Sequence, residues 1–482
     1  MAPGLEATAR LGQTRGLFVA EDLRFAAGTG RVELSLRRAA SKPLDGEDGS
    51  LKKSVMAGAG AVLLMGAAIA SIRVVEPVES PQNQAAEVRA ASLRLAKVQP
   101  AARQRVDYAR LDARLRRLAE KPAMVGLAVG VVENGRITFL SGYGETVEGS
   151  GERVTADTVF RWASVSKGVA GTMVAKLAEQ GKIRLDAPVV NYAPGLKLPA
   201  GNEYRASVTD VLSHRLGLYR NALDNKLEEG QSPQVLRAQL GTLNAICPPD
   251  TCWSYQNIAF DSASDMVARA TGTTYQEAVR QQLFGPLGMT SATLTREGLV
   301  SAKSWARPHS VGRRPLEVLE PYYRVPAAGG VNSNIKDMSV WMIAQMGGMP
   351  AVLDQALLDK VHAPLVKTPG ERARMRKFLE RVGEATYGLG WRNYDYAGRR
   401  IIGHRGGVNG YRSLILFDPA LKSGVVALWN SNTSQPGGLE FEVMDMLHGL
   451  QFRDWMELDK AGGKTPEPVA EEITSIGSGD RR

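Results

Sequence analysis

Phe160-Arg161-Trp162-Ala163-Ser164-Val165-Ser166-Lys167-Gly168-Val169 decides how this 482-residue chain is read. From Ser164 onward, apolar residues recur at Val165, Val169, Met173, Val174 and Leu177, the spacing of a helix with one buried face that runs to Gln180. Gly181 ends it. Ser164 then stands at a helix N-terminus, where unpaired N–H groups and the helix dipole favour developing negative charge. Lys167, three residues on, shares its side of the helix. A serine hydroxyl is a poor nucleophile without an adjacent base, and a lysine that is desolvated and near another cation can serve as that base.

The four-residue pattern alone is weak. Ser50 to Lys53 and Ser333 to Lys336 also spell S-x-x-K, and the plainer reading of each is a serine cap followed by a solvated lysine. Two further stretches separate Ser164 from them. Cys247-Pro248-Pro249-Asp250-Thr251-Cys252-Trp253-Ser254 is rich in turn residues and leads into Tyr255-Gln256-Asn257. Tyr255 can relay a proton to or from Ser164, and the Asn257 amide can hold a carbonyl. Tyr219-Arg220-Asn221 repeats the spacing, but Tyr219 is read as a packing aromatic.

The third stretch, Ile401-Ile402-Gly403-His404-Arg405-Gly406-Gly407, precedes the apolar run Leu414-Ile415-Leu416-Phe417. Glycines at 406 and 407 allow backbone to approach a ligand, so an N–H there can complete an oxyanion hole with that of Ser164. Of the five histidines, His404 is singled out by its glycine-rich strand. His214, His309, His362 and His448 are assigned to structure.

Taken in this order, the motifs resemble those of the penicillin-recognising serine hydrolases, in the branch that holds class C β-lactamases, DD-peptidases with a histidine-type third motif, and related esterases and amidases. The similarity runs from about Val125 to Asn432 and includes Gly126 to Arg136, Leu212 to Leu218, Leu283 to Met289 and Ala328 to Ser333. It implies an α/β (α+β) fold of the β-lactamase/transpeptidase type, an antiparallel sheet flanked by helices with a mostly helical subdomain at roughly 180–330. It implies that Ser164 is the acylated nucleophile, that Lys167 and Tyr255 transfer protons, and that Asn257 positions substrate. Gly406 and Gly407 would border the substrate, Gly407 giving the second oxyanion donor, while His404 would bias the charge on Tyr255 and receive a substrate carboxylate. A third motif K-T-G is absent, since Lys367-Thr368 and Lys464-Thr465 are both followed by proline. That departure leaves β-lactam, D-alanyl peptide and ester or amide substrates open.

No cofactor or metal is expected. Cys247 and Cys252 are the two cysteines and cannot complete a four-ligand zinc site. In an exported protein they form a disulfide, and in the cytoplasm they stay as thiols. The net charge of +10 is spread without a basic block interleaved with aromatics, which argues against nucleic acid as a partner. The partner is a small-molecule or peptide substrate.

Residues 1–50 lack periodicity and read as a disordered or wrongly assigned extension. Residues 51–73 hold Lys52-Lys53, the apolar stretch Val55 to Ile72 and a small-x-small site at Ala68-Ile69-Ala70, in the order of a signal peptide. An uncleaved inner-membrane anchor is the alternative. A linker over 74–100, a hydrolase domain over 101–456 and a disordered tail over 457–482 complete the organisation. The expectation is therefore an exported, periplasmic or secreted serine hydrolase. A carboxylesterase or amidase of the same family, and a membrane-held covalent sensor of β-lactams or peptidoglycan fragments, are the alternatives.

Overall fold

Asn134 and Gly135 take positive φ values of 52° and 74° and close β1 (Gly126–Glu133) onto β2 (Arg136–Gly144), as an Asn-Gly pair between strands implies. A computed structural model describes residues 104–459. The expected extension 1–50, leader 51–73 and linker 74–100, and nearly all of the tail, lie outside the described residues.

Eight further strands follow: β3 (Phe160–Arg161), β4 (Asn332–Ser333), β5 (Val366–Lys367), β6 (Val382–Tyr387), β7 (Arg392–Tyr396), β8 (Arg399–Val408), β9 (Tyr411–Asp418) and β10 (Ser423–Trp429). The main sheet runs β2-β1-β10-β9-β8-β7-β6-β5, and β3 pairs separately with β4. Every pairing in the main sheet is antiparallel. Leu127 opposite Trp429 and Val131 opposite Val425 join the first strand to the last, so the two ends of the domain share one sheet.

Side chains alternate between two cores, because successive residues of a strand face opposite sides. In β1, Ala128 and Val132 enter one core and Leu127, Val129 and Val131 the other; in β10, Val426 and Leu428 oppose Val425, Ala427 and Trp429. The second core is closed by α1 (Tyr108–Ala119), through Leu111, Leu115 and Leu118, and by a C-terminal helix.

The first core is larger and reaches into the helical region. It takes in α2 (Ser166–Glu179) and α3 (Ser262–Thr271), while α4 (Ile335–Gln345) packs on β1 and β10. The C-terminal helix is α5 (Leu439–His448), which ends at Gly449 with φ 65°, because a left-handed glycine stops a helix. α2 is buried on nearly every side rather than on one face. A Cβ on Gly168 would come within 2.6 Å of the Trp391 ring, so glycine lets α2 meet the link between β6 and β7. Among the described residues no helix is long and apolar enough to cross a membrane.

Candidate active site

Ser164 lies in a 3₁₀ turn, Ala163–Val165, that joins β3 to α2. Ala163 takes a φ of 48°, a left-handed conformation unfavourable for a residue with a Cβ, and such strain is retained where surrounding structure enforces it. Here Trp162 N–H donates to Val331 O at 2.8 Å and Ser413 Oγ donates to Trp162 O at 2.5 Å. Ser164 is thereby held at the edge of the cleft, 7% exposed.

Lys167, one turn on, is fully buried. Its Nζ donates to Asn257 Oδ1 at 2.6 Å and to the Ala328 carbonyl at 3.0 Å, and lies 3.5 Å from Ser164 Oγ. It also stands 4.5 Å from the centroid of the Tyr255 ring. A buried amine needs such acceptors for its N–H groups, since unpaired buried polar groups are costly. Asn257 donates in turn to Asp224 Oδ2 at 2.6 Å, which points its oxygen at Lys167. An amide has two hydrogens, and the second can meet a substrate carbonyl.

Tyr255 arrives on a braced loop. Cys247 and Cys252 are joined by a disulfide, and Ser254 N–H donates to His214 O at 2.9 Å. Arg215 pairs with Asp210 at 2.8 Å and with Asp250 inside the disulfide loop. The loop therefore hangs from the His214–Gly217 segment.

On the opposite wall, β8 runs beside the Ser164 turn. A Cβ on Gly406 would collide with the Trp162 carbonyl and stand 2.9 Å from Ser164 N, so this position requires glycine. Ser164, Asn257 and Gly407 line one pocket of about 10 Å³, with Asn221, Tyr322 and Ala328. His404 departs from expectation. It is 2% exposed and lines neither this pocket nor the larger cavity beyond Tyr255. Nδ1 meets the Arg405 carbonyl at 2.6 Å and Nε2 the Tyr387 hydroxyl at 3.0 Å, so it has no N–H for a substrate carboxylate. Burial, reinforced by Arg392 and Lys167, drives its pKa well below 6.5, and a neutral ring cannot bias Tyr255 by charge.

A model of the beta-lactamase family matches residues 111–444. The chain belongs to the beta-lactamase family. It is 27% identical over 365 residues to an unguisins hydrolase of Aspergillus violaceofuscus, covering 68% of this chain and 63% of that protein. Over 222 residues it is 30% identical to the D-alanyl-D-alanine-carboxypeptidase/endopeptidase AmpH of Escherichia coli K12, covering 45% of this chain and 56% of that one. The chain thus spans about three fifths of the length of these relatives. A penicillin-binding protein homologue from Pyrococcus abyssi, described as octameric, superposes with a TM-score of 0.64 at 21% identity, over 72% of this chain and 78% of that one, and supports the fold.

In this beta-lactamase-family chain the positive charge around Tyr255 comes from residues that motif reading passed over. Arg220 and Arg392 place their guanidinium carbons 5.3 and 5.7 Å from the Tyr255 centroid. Glu371 accepts from Arg220 at 3.3 Å, from Arg374 at 2.5 Å and from Arg392. Burial opposes its ionisation, yet Arg392, Arg220 and Arg374 together hold its carboxyl below the ordinary range. Arg220, Glu371 and Arg374 line a cavity of about 650 Å³ that also touches Tyr255 and Trp253. Arg220 was visible in sequence beside Tyr219, but no spacing linked it to Arg392 or Glu371. His214, assigned to structure, packs its ring 4.4 Å from that of Tyr255.

Proposed function

We propose that this chain is an exported serine hydrolase that forms an acyl-enzyme on Ser164 and opens the amide or ester bonds of D-alanyl peptides or β-lactams. The observation that carries this reading is the buried Lys167 amine, its Nζ 3.5 Å from Ser164 Oγ and 4.5 Å from the Tyr255 ring. Ser164 Oγ attacks the carbonyl while its proton passes to the Lys167–Tyr255 pair. The oxyanion is met by the N–H groups of Ser164 and Gly407, Asn257 aligns the substrate amide, and the pair returns the proton to the leaving group. Water then attacks the ester on Ser164 and regenerates the hydroxyl.

Arg220 and Arg374, on the cavity that Tyr255 shares, suit an acyl donor bearing a carboxylate, as D-alanyl peptides and β-lactams do. The Escherichia coli relative, a D-alanyl-D-alanine-carboxypeptidase/endopeptidase, points the same way. Export is supported by the Cys247–Cys252 disulfide, a bond of oxidising compartments, and by the charged and apolar segments of 51–73.

The test is turnover by purified protein of nitrocefin, a D-alanyl dipeptide and a short-chain nitrophenyl ester, each beside Ser164→Ala. Hydrolysis of either carboxylate-bearing substrate that is lost in the variant is the expected result. Ester turnover alone would move the assignment to an esterase. A single burst without steady hydrolysis would make the chain a covalent sensor.

A further inference from the structure

Between Gln256 and Arg405 the proton positions are fixed by groups that cannot exchange roles. Gln256 N–H donates to His214 Nδ1 at 3.2 Å, so neutral His214 carries its proton on Nε2. That nitrogen is 3.2 Å from the Tyr387 hydroxyl. At the other end, the Arg405 carbonyl can only accept, and it lies 2.6 Å from His404 Nδ1. Neutral His404 therefore carries its proton on Nδ1 and accepts at Nε2, 3.0 Å from the same Tyr387 hydroxyl. Tyr387 donates to His404 while it accepts from His214.

We propose that Tyr387 is a positioning residue for acyl transfer, its hydroxyl locking His214 and His404 in opposite neutral tautomers and so fixing the Tyr255 segment against β8. The proposal rests on the acyl-enzyme reading. At one end of this chain of hydrogen bonds, His214 packs on the Tyr255 ring and its carbonyl holds Ser254. At the other, His404 stands two residues before Gly406, which abuts Ser164 N. Tyr387, at the end of β6 and fully buried, hydrogen-bonds both rings. Its segment leads directly to Leu389, Gly390 and Trp391, against which α2 packs through Gly168 and Gly171, so the stretch that carries the phenol also supports the nucleophile's helix.

The surroundings favour uncharged rings. His214 faces Tyr255, Tyr387, Lys167, Arg220, Arg392 and His404; His404 faces Tyr255, Tyr387, Arg392 and Lys167. Burial first, and then these cations, lower the pKa of both histidines well below 6.5. A second proton on His404 would turn Nε2 from acceptor to donor and force the Tyr387 hydroxyl to reverse.

Two measurements on the full chain test this. Side-chain ¹⁵N NMR of the wild type should show His214 protonated at Nε2 and His404 at Nδ1, both unchanged from about pH 8 down to about pH 5.5, across the range where a solvated histidine titrates. Tyr387→Phe keeps the ring but deletes the hydroxyl. It should leave the apparent affinity for a fluorescent penicillin unchanged, lower the maximal acylation rate about tenfold, as for loss of one buried hydrogen bond, and move the acid limb of the rate–pH profile upward. An Nε2-protonated His404 in the wild type, or a variant whose rate–pH profile superposes on the wild type, would overturn the role of Tyr387 alone. A wild type that never acylates Ser164 would overturn the acyl-enzyme reading and this role with it, and the wild-type spectrum is informative even if the variant does not fold.

Discussion

Ser164 with Lys167 and Ser333 with Lys336 spell the same pattern and occupy opposite physical regimes. Lys167 is fully buried, its Nζ donating to Asn257 Oδ1 and the Ala328 carbonyl beside Ser164 Oγ. Lys336 keeps 43% of its side chain exposed and meets Asp157 at 2.6 Å. Ser333 is turned away from its lysine, accepting from Trp162 Nε1 at 2.8 Å and donating to Asn334 O at 2.8 Å. Asn334 then caps α4, so the second pair belongs to an ordinary helix start with a surface ion pair of about 0–1 kcal/mol. The difference teaches that burial and acceptors, not the motif letters, turn a lysine toward chemistry. Ser333 still serves the first site at one remove, because its partner Trp162 lies two residues before Ser164.

The largest effect that could break this comparison is at the nucleophile. Ser164→Ala should abolish labelling by a fluorescent penicillin or a fluorophosphonate. Ser333→Ala should keep the label and lose about 1–2 kcal/mol of stability from its buried hydrogen bonds. Lys167→Ala should slow acylation by roughly 10²- to 10⁴-fold, the range for a lost general base, whereas Lys336→Ala should change stability by no more than about 0.5 kcal/mol. An adduct found on Ser333, or equal rates in the two lysine variants, would erase the distinction.

A smaller effect is expected where the cleft is braced. The disulfide closes a loop of sequence separation 5, so its chain-entropy contribution falls below the ~3 kcal/mol of a 15-residue loop. Cys247→Ser combined with Cys252→Ser should therefore lower acylation by a larger factor than it lowers the folding equilibrium. Acylation kinetics and a denaturant midpoint on the same protein decide it, and a large stability loss with normal acylation reverses the assignment.

The contrast between buried and solvated ionisable groups extends to pH. Burial, aided by Arg400, lowers the His362 pKa to about 3, and His214 and His404 shift in the same direction. Above pH 6.5 these rings are neutral in both folded and unfolded chains. As pH falls through 6.5 only the unfolded chain gains protons, so stability is present above that value and lost below it, by up to about 1.4 kcal/mol per pH unit for each such ring. Asp261, whose buried carboxyl is pushed up to about 7, opposes part of this slope between its ordinary pKa and 7. Denaturant midpoints from pH 8 to 4 should fall on the acid side, and His362→Gln should flatten the fall; a midpoint independent of pH would remove the buried neutral rings from the account.

Much of the scaffold was legible because its signals are local. Asn134-Gly135, the continuous apolar runs of β1 and β10, the 3.6-residue spacing after Ser164 and the stop at Gly181 each act within a few residues. β6 and β7 were not read, since Val382–Tyr387 and Arg392–Tyr396 mix glycine, charge and tyrosine without clean alternation. Those two strands carry Tyr387 and Arg392, and the link between them meets α2, so the missed strands hold two of the residues that sequence reading passed over.

By itself the sequence pointed to Ser164, Lys167 and Tyr255 as the candidates for nucleophile, amine and phenol chemistry, because the glycine, turn and apolar punctuation around Ser164, Tyr255 and Gly406 acts at short range. Only the tertiary structure decided what surrounds them. It put His404 in a buried hydrogen-bond chain instead of at the substrate, His214 against Tyr255, and the positive field on Arg220 and Arg392. The reason is that charge state and hydrogen-bond direction depend on desolvation and on partners hundreds of residues apart in some cases, such as Ser413 on Trp162, and no local pattern encodes either.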